Sequence, residues 1–133
     1  MGRLIFDHVD LRVRSIAGAT SFYDVFMPAV GLHHKRAIGD HVLYYRKVGK
    51  VPAECIILFE EPAHRATETV LAFYAATYEE VDAVANALKT AGFIDIEGPQ
   101  RYPEYSETYY AAFFRDPSGN RLEIVCRRPI VSS

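Results

Sequence analysis

The stretch Asp116-Pro117-Ser118-Gly119-Asn120, followed after Arg121 by Leu122-Glu123-Ile124-Val125, decides the reading of this chain. Asp-Pro opens a tight turn, Gly119 can take positive φ, and Asn120 tolerates the same region. In the strand that follows, Glu123 alternates with Leu122 and Ile124, so its carboxylate points to the opposite face. An acid within an apolar strand is a metal ligand, a general base, the partner of a cation, or an acid on a solvated sheet face.

Working outward, Phe6-Asp7-His8-Val9-Asp10-Leu11-Arg12-Val13 alternates with period two. Val9, Leu11 and Val13 share one face, and Phe6, His8, Asp10 and Arg12 share the other. A helix over 15–27 is predicted next, because Ile16, Ala19, Phe22, Tyr23 and Phe26 fall at helical spacing behind Ser15 as N-cap. It is expected to stop near Pro28, with Gly31 beyond.

The same opening recurs in the second half. Residues 70–76 read as an apolar strand, and Thr77-Tyr78-Glu79-Glu80 has capping-box spacing. Val81, Val84, Ala85, Leu88 and Ala91 form the stripe of a helix over 78–91, and Gly92 suits its C-terminal cap. Setting His8 on Val70 places Leu11 on Phe73 and brings Gly31 within one residue of Gly92. Tyr44-Tyr45-Arg46 parallels Phe113-Phe114-Arg115, and Ile56 to Phe59 parallels Leu122 to Val125. The halves read as two copies of one βαβββ unit, modules 4–62 and 66–128 of a single domain spanning 1–133.

These motifs resemble the glyoxalase/bleomycin-resistance/extradiol-dioxygenase group, the vicinal oxygen chelate superfamily. The resemblance rests on Asp7-His8-Val9 with Leu11 and Val13, on Ser21-Phe22-Tyr23, on Leu71-Ala72-Phe73, on Gly92-Phe93, and on the 116–120 turn with Glu123. It implies an α+β fold, two βαβββ modules forming a cup-shaped mixed sheet with helices outside. It also implies ligand positions at His8, Ile57, Val70 and Glu123, of which only His8 and Glu123 carry donors. A catalytic divalent metal needs about three protein ligands, so none is expected to be tightly bound. His33, His34, His41 and His64 match no family position and read as surface or loop histidines. His8 and Glu123 are the candidate catalytic pair, either as an incomplete metal set or as a metal-free imidazole–carboxylate pair.

Strand parity sketches the rest of the lining. Phe6, Asp10 and Arg12 face the same way as His8; Ala72 and Tyr74 go with Val70; Cys55, Ile57 and Phe59, and then Glu123 and Val125, complete the surface. A mostly apolar and aromatic lining suits a small molecule with an apolar body and few polar handles. The expectation is therefore a protein that binds such a molecule. The alternative is a metal-dependent lyase, isomerase or dioxygenase acting on a vicinal-oxygen substrate. The tyrosine-rich segment 99–110, with Tyr102 and Tyr105, reads as a lid or as a rim packed on the module edge or on a second subunit. With Tyr109 and Tyr110, and with the family's habit, it points to a homodimer.

The 133 residues carry 15 Lys+Arg against 17 Asp+Glu, a net charge of −2 with no basic block, which argues against nucleic acid as a partner. No run is long enough to span a membrane and no secretory h-region opens the chain, so a cytoplasmic protein is expected. Cys55 and Cys126 fall in strands and read as small core residues, not as a disulfide framework.

Overall fold

The computed structural model describes residues 3–128, and the chain divides into two units between His64 and Arg65. The first unit runs β1 (His8–Val13), α1 (Ile16–Val30), β2 (His34–Ile38), β3 (His41–Val48), β4 (Val51–Glu60). The second runs β5 (Val70–Tyr74), α2 (Tyr78–Thr90), β6 (Ile96–Arg101), β7 (Tyr110–Arg115), β8 (Arg121–Cys126). Their sheets share one topology, β1-β4-β3-β2 and β5-β8-β7-β6. In each, the first strand lies parallel to the last and the remaining ladders are antiparallel. This is the repeated βαβββ unit expected from the internal match.

In the first unit, α1 buries Ala19, Phe22, Tyr23, Phe26 and Met27. Phe22 meets Tyr23 edge-on at 5.0 Å and stacks on Phe26 at 5.5 Å. Val13, Tyr44, Ile56 and Leu58 supply buried sheet residues. The Tyr44 hydroxyl donates to Asp24 at 2.8 Å, and Lys35 reaches the same carboxylate, so α1 is tied to β3 and β2 through one acid. The Ser15 hydroxyl accepts from the Gly18 N–H, as a cap should. Pro28 does not end the helix. It removes one N–H from the last turn, and α1 continues to Val30, where Gly31 at φ 109° closes it.

In the second unit, Val81, Val84, Ala85 and Leu88 form the buried stripe of α2, while Ala91 caps it and is exposed. The capping box is present: Thr77 Oγ1 accepts from the Glu80 N–H at 3.1 Å, and the Glu80 carboxylate accepts from the Ala76 N–H at 2.6 Å. Leu122, Ile124 and Phe114 are buried on one side of the sheet.

The ladders correct one detail of the internal match. Tyr44 pairs with Ile56 and Phe114 pairs with Leu122, so buried Tyr44 corresponds to buried Phe114 rather than to Phe113. A slip of one residue exchanges the two faces of a strand, and aromatic residues on both faces hid it in the sequence. Of the two cysteines, Cys126 is buried, whereas Cys55 is half-buried opposite His8.

Candidate functional site

In the first unit, parity holds. His8 lies beside Cys55, Asp10 beside Ile57, and Arg12 beside Phe59. The His8 Nδ1 is 2.7 Å from Asp7 Oδ1 and its Nε2 is 3.8 Å from Asp10 Oδ1. The hydrogen bond to Asp7, then the charges of Asp10 and Asp7, hold the imidazole above its usual pKa. Arg12 places its guanidinium 4.7 Å from the Phe59 ring centre, and the His41 ring lies 4.6 Å from the same ring. Phe6 precedes β1 and is 72% exposed.

In the second unit, Glu123 sits between Ala72 and Phe113 in register. It is 6% exposed although it faces away from the side that holds Leu122 and Ile124. What covers it is a second apolar cluster, Tyr102, Tyr109, Ala111 and Val125, with Phe113 packed against it. The Tyr109 hydroxyl donates to Glu123 Oε2. Burial raises the carboxyl pKa, and the Tyr109 hydrogen bond and Arg127 oppose that shift. Burial, then the bond to Glu123, pushes the Tyr109 phenol up to about 12. Arg127 stacks its guanidinium 4.7 Å over the Tyr109 ring.

The remaining expected lining residues spread along this sheet. Val70 is partly buried beside Arg121, and Tyr74 lies beside Val125 with its hydroxyl accepting from Arg128 at 3.0 Å. Segment 99–110 folds onto its own unit. The Tyr102 N–H bonds to the Tyr109 carbonyl at 2.9 Å, the Tyr102 hydroxyl donates to Glu97 at 2.8 Å, and Tyr102 meets Phe113 edge-on at 5.3 Å. Tyr110 turns away, stacks on Tyr78 at 4.3 Å and donates to Asp82. All four rim tyrosines are thus engaged inside the unit; Tyr105 stacks on Tyr102 at 5.8 Å and meets Tyr109 edge-on at 5.1 Å, yet stays 61% exposed. Pro99 lies in edge strand β6, as its missing N–H requires, at a register shift between Glu97 and Gln100.

The 116–120 turn fixes where β8 begins. The Asp116 carboxylate accepts from the Ser118 and Asn120 N–H groups and from the Asn120 side-chain amide, at 2.8, 2.9 and 2.9 Å. Gly119 takes φ 85°. This Asx-type turn sets the register that brings Glu123 opposite Phe113.

Sequence reasoning named Tyr109 only as a rim residue and passed over Phe113. The signal was parity across a hairpin: Phe113 is two residues from Ala111 and opposite Glu123. Ile57 and Val70 offer no metal donor, Glu123 Oε2 is engaged by Tyr109, and among the described residues no group of three His, Cys, Asp or Glu side chains converges on an ion-sized space.

Residues 5–124 match the family model described as the Glyoxalase/Bleomycin resistance protein/Dioxygenase superfamily. No curated protein matches the chain. Among solved structures, a glyoxalase/bleomycin resistance protein from Albidiferax ferrireducens T118 is similar at 26% identity and TM-score 0.75, over 92% of this chain and 98% of that one. Lactoylglutathione lyase from Agrobacterium tumefaciens is similar at 22% identity and TM-score 0.65, over 94% and 95% of the two chains. The genomically encoded fosfomycin resistance protein of Listeria monocytogenes is similar at 16% and TM-score 0.65, over 94% of each. The last two share the fold alone. With the family match running from before β1 into β8 and the same strand order in both units, the chain belongs to the glyoxalase/bleomycin resistance protein/dioxygenase superfamily.

Proposed function

We propose that the protein binds a small, largely apolar or aromatic molecule on the sheet face that carries Glu123, and that it does so without a tightly bound catalytic metal. One observation carries the reading. The Glu123 carboxylate is buried and held by Tyr109, beside the partly open ring of Phe113, while the exposed Tyr105 ring packs on Tyr109 and borders one cleft with Phe113. That is a single oriented acceptor bordered by uncovered aromatic surface, the pattern of a small-molecule site. Covering an aromatic ring there contributes about 3 kcal/mol at roughly 25 cal/mol per Å², before association costs. Glu123 Oε1 is left to accept from a hydroxyl or N–H on the ligand.

The competing reading is a metal-dependent lyase, isomerase or dioxygenase. It requires donors that Ile57 and Val70 do not have, and it would leave Glu123 only Oε1 to offer an ion while Tyr109 holds Oε2. A thermal-shift screen of aromatic alcohols, aldehydes and catechols, run with and without chelator, separates the two. Stabilisation that survives the chelator supports metal-free binding, and stabilisation that needs added zinc, nickel, manganese or iron supports the enzyme. A homodimer belongs to the same proposal; sedimentation equilibrium should give twice the 15.0 kDa of one chain, and a strict monomer at high concentration would refute it.

A further inference from the structure

We infer that Arg115 and Arg121 form a carboxylate-binding subsite, so that the ligand of the Glu123 face is a small aromatic acid; this rests on the binding reading above. The two arginines are direct cross-strand partners on β7 and β8. By parity they lie on the face of Phe113 and Glu123, two residues along each strand. Like charges set directly opposite destabilise a ladder. Yet among the described residues neither guanidinium forms an ion pair.

Both border a cleft of about 160 Å³ whose other walls include Asp95, Glu97, Tyr105 and Phe113. The cleft therefore combines two unpaired cationic forks with two aromatic faces. Glu97 already accepts from the Tyr102 hydroxyl. The two acids bring the formal charge of the cleft close to zero, which favours a monoanion over a phosphate dianion. A planar carboxylate matches the guanidinium fork. Tyr105 and Phe113 are placed to flank a ring attached to it, and Glu123 lies roughly 7 Å farther along β8 from Arg121 at about 3.3 Å per residue.

The test is calorimetric titration at low salt with phenylacetate, its neutral analogue phenylacetamide, and inorganic phosphate. Wild type should bind the acid at least about tenfold tighter than the amide, the size expected of charge-assisted bonds. An Arg115→Gln/Arg121→Gln double variant should lose that preference while keeping its affinity for the amide. Equal binding of acid and amide to wild type, or a preference that survives in the double variant, overturns the subsite and leaves the binding reading intact. Phosphate binding as tight as phenylacetate also overturns it, because the rings would then contribute nothing. If no aromatic compound binds, acid or neutral, both readings fall. If the double variant does not fold, the wild-type comparison together with Arg115→Lys/Arg121→Lys decides: the charge is kept and the fork is lost, so the preference should shrink.

Discussion

The Tyr109 hydroxyl donates its hydrogen bond to Glu123 Oε2, joining the tyrosine-rich segment to the acid of the last strand. A phenol that reaches a carboxylate buried in an apolar cluster supplies part of the solvation that burial removes. It also leaves one carboxylate oxygen with a fixed direction.

Tyr109→Phe should therefore destabilise the protein by about 1–3 kcal/mol, the cost of stranding a buried acceptor. It should also raise the Glu123 pKa further, since that hydrogen bond opposes the shift caused by burial. Urea unfolding at neutral pH and carboxyl titration by NMR measure the two effects. An unchanged Glu123 titration would show that the contact is not formed in solution.

Glu123 carries a pH signature. Its folded pKa is raised above the ordinary value of 4.5. The folded protein therefore holds this proton more tightly than the unfolded chain does. The stability it contributes is fully present below pH 4.5 and is lost as pH rises through the folded pKa. Glu123→Gln should gain stability relative to wild type across that window, and the difference should level off above it. Parallel pH–stability curves would contradict the burial assigned to this side chain.

Gly98 sits at φ +85°, and a Cβ there would stand 2.8 Å from the Ala111 carbonyl oxygen and 3.1 Å from the Gln100 N–H nitrogen. Gly39, at φ +58°, has open space. Gly39→Ala should cost about 1–2 kcal/mol, the left-handed penalty. Gly98→Ala should cost more, because backbone on β7 must also move. Equal urea midpoints for the two variants would show that the β6–β7 approach is looser than described.

Much of the fold was legible because both modules obey simple periodicities. The helical stripes at Phe22, Tyr23 and Phe26 and at Val81, Val84 and Leu88, their caps at Ser15 and Thr77, and the face-sharing of His8 with Ile57 all follow from spacing. Pro28 misled because a proline in a last turn costs only one hydrogen bond, and Gly31 supplied the actual stop. The Tyr44 register slipped because apolar residues on both faces of a strand erase the alternation that fixes parity. The site was less legible. Glu123 stood out as an acid among apolar residues, but its partner Tyr109 lies 14 residues earlier on a loop whose path no local pattern dictates.

The central claim is tested most directly by titrating metal-stripped protein with phenylacetate and p-cresol, in wild type and in Ala72→Trp. Ala72 is exposed and directly beside Glu123 on β5, so an indole there covers the proposed surface. The account predicts that the stripped wild type binds at least one of these probes and that Ala72→Trp, folded by circular dichroism, does not. Binding that appears only after a divalent metal is restored, or that persists unchanged in Ala72→Trp, would contradict it.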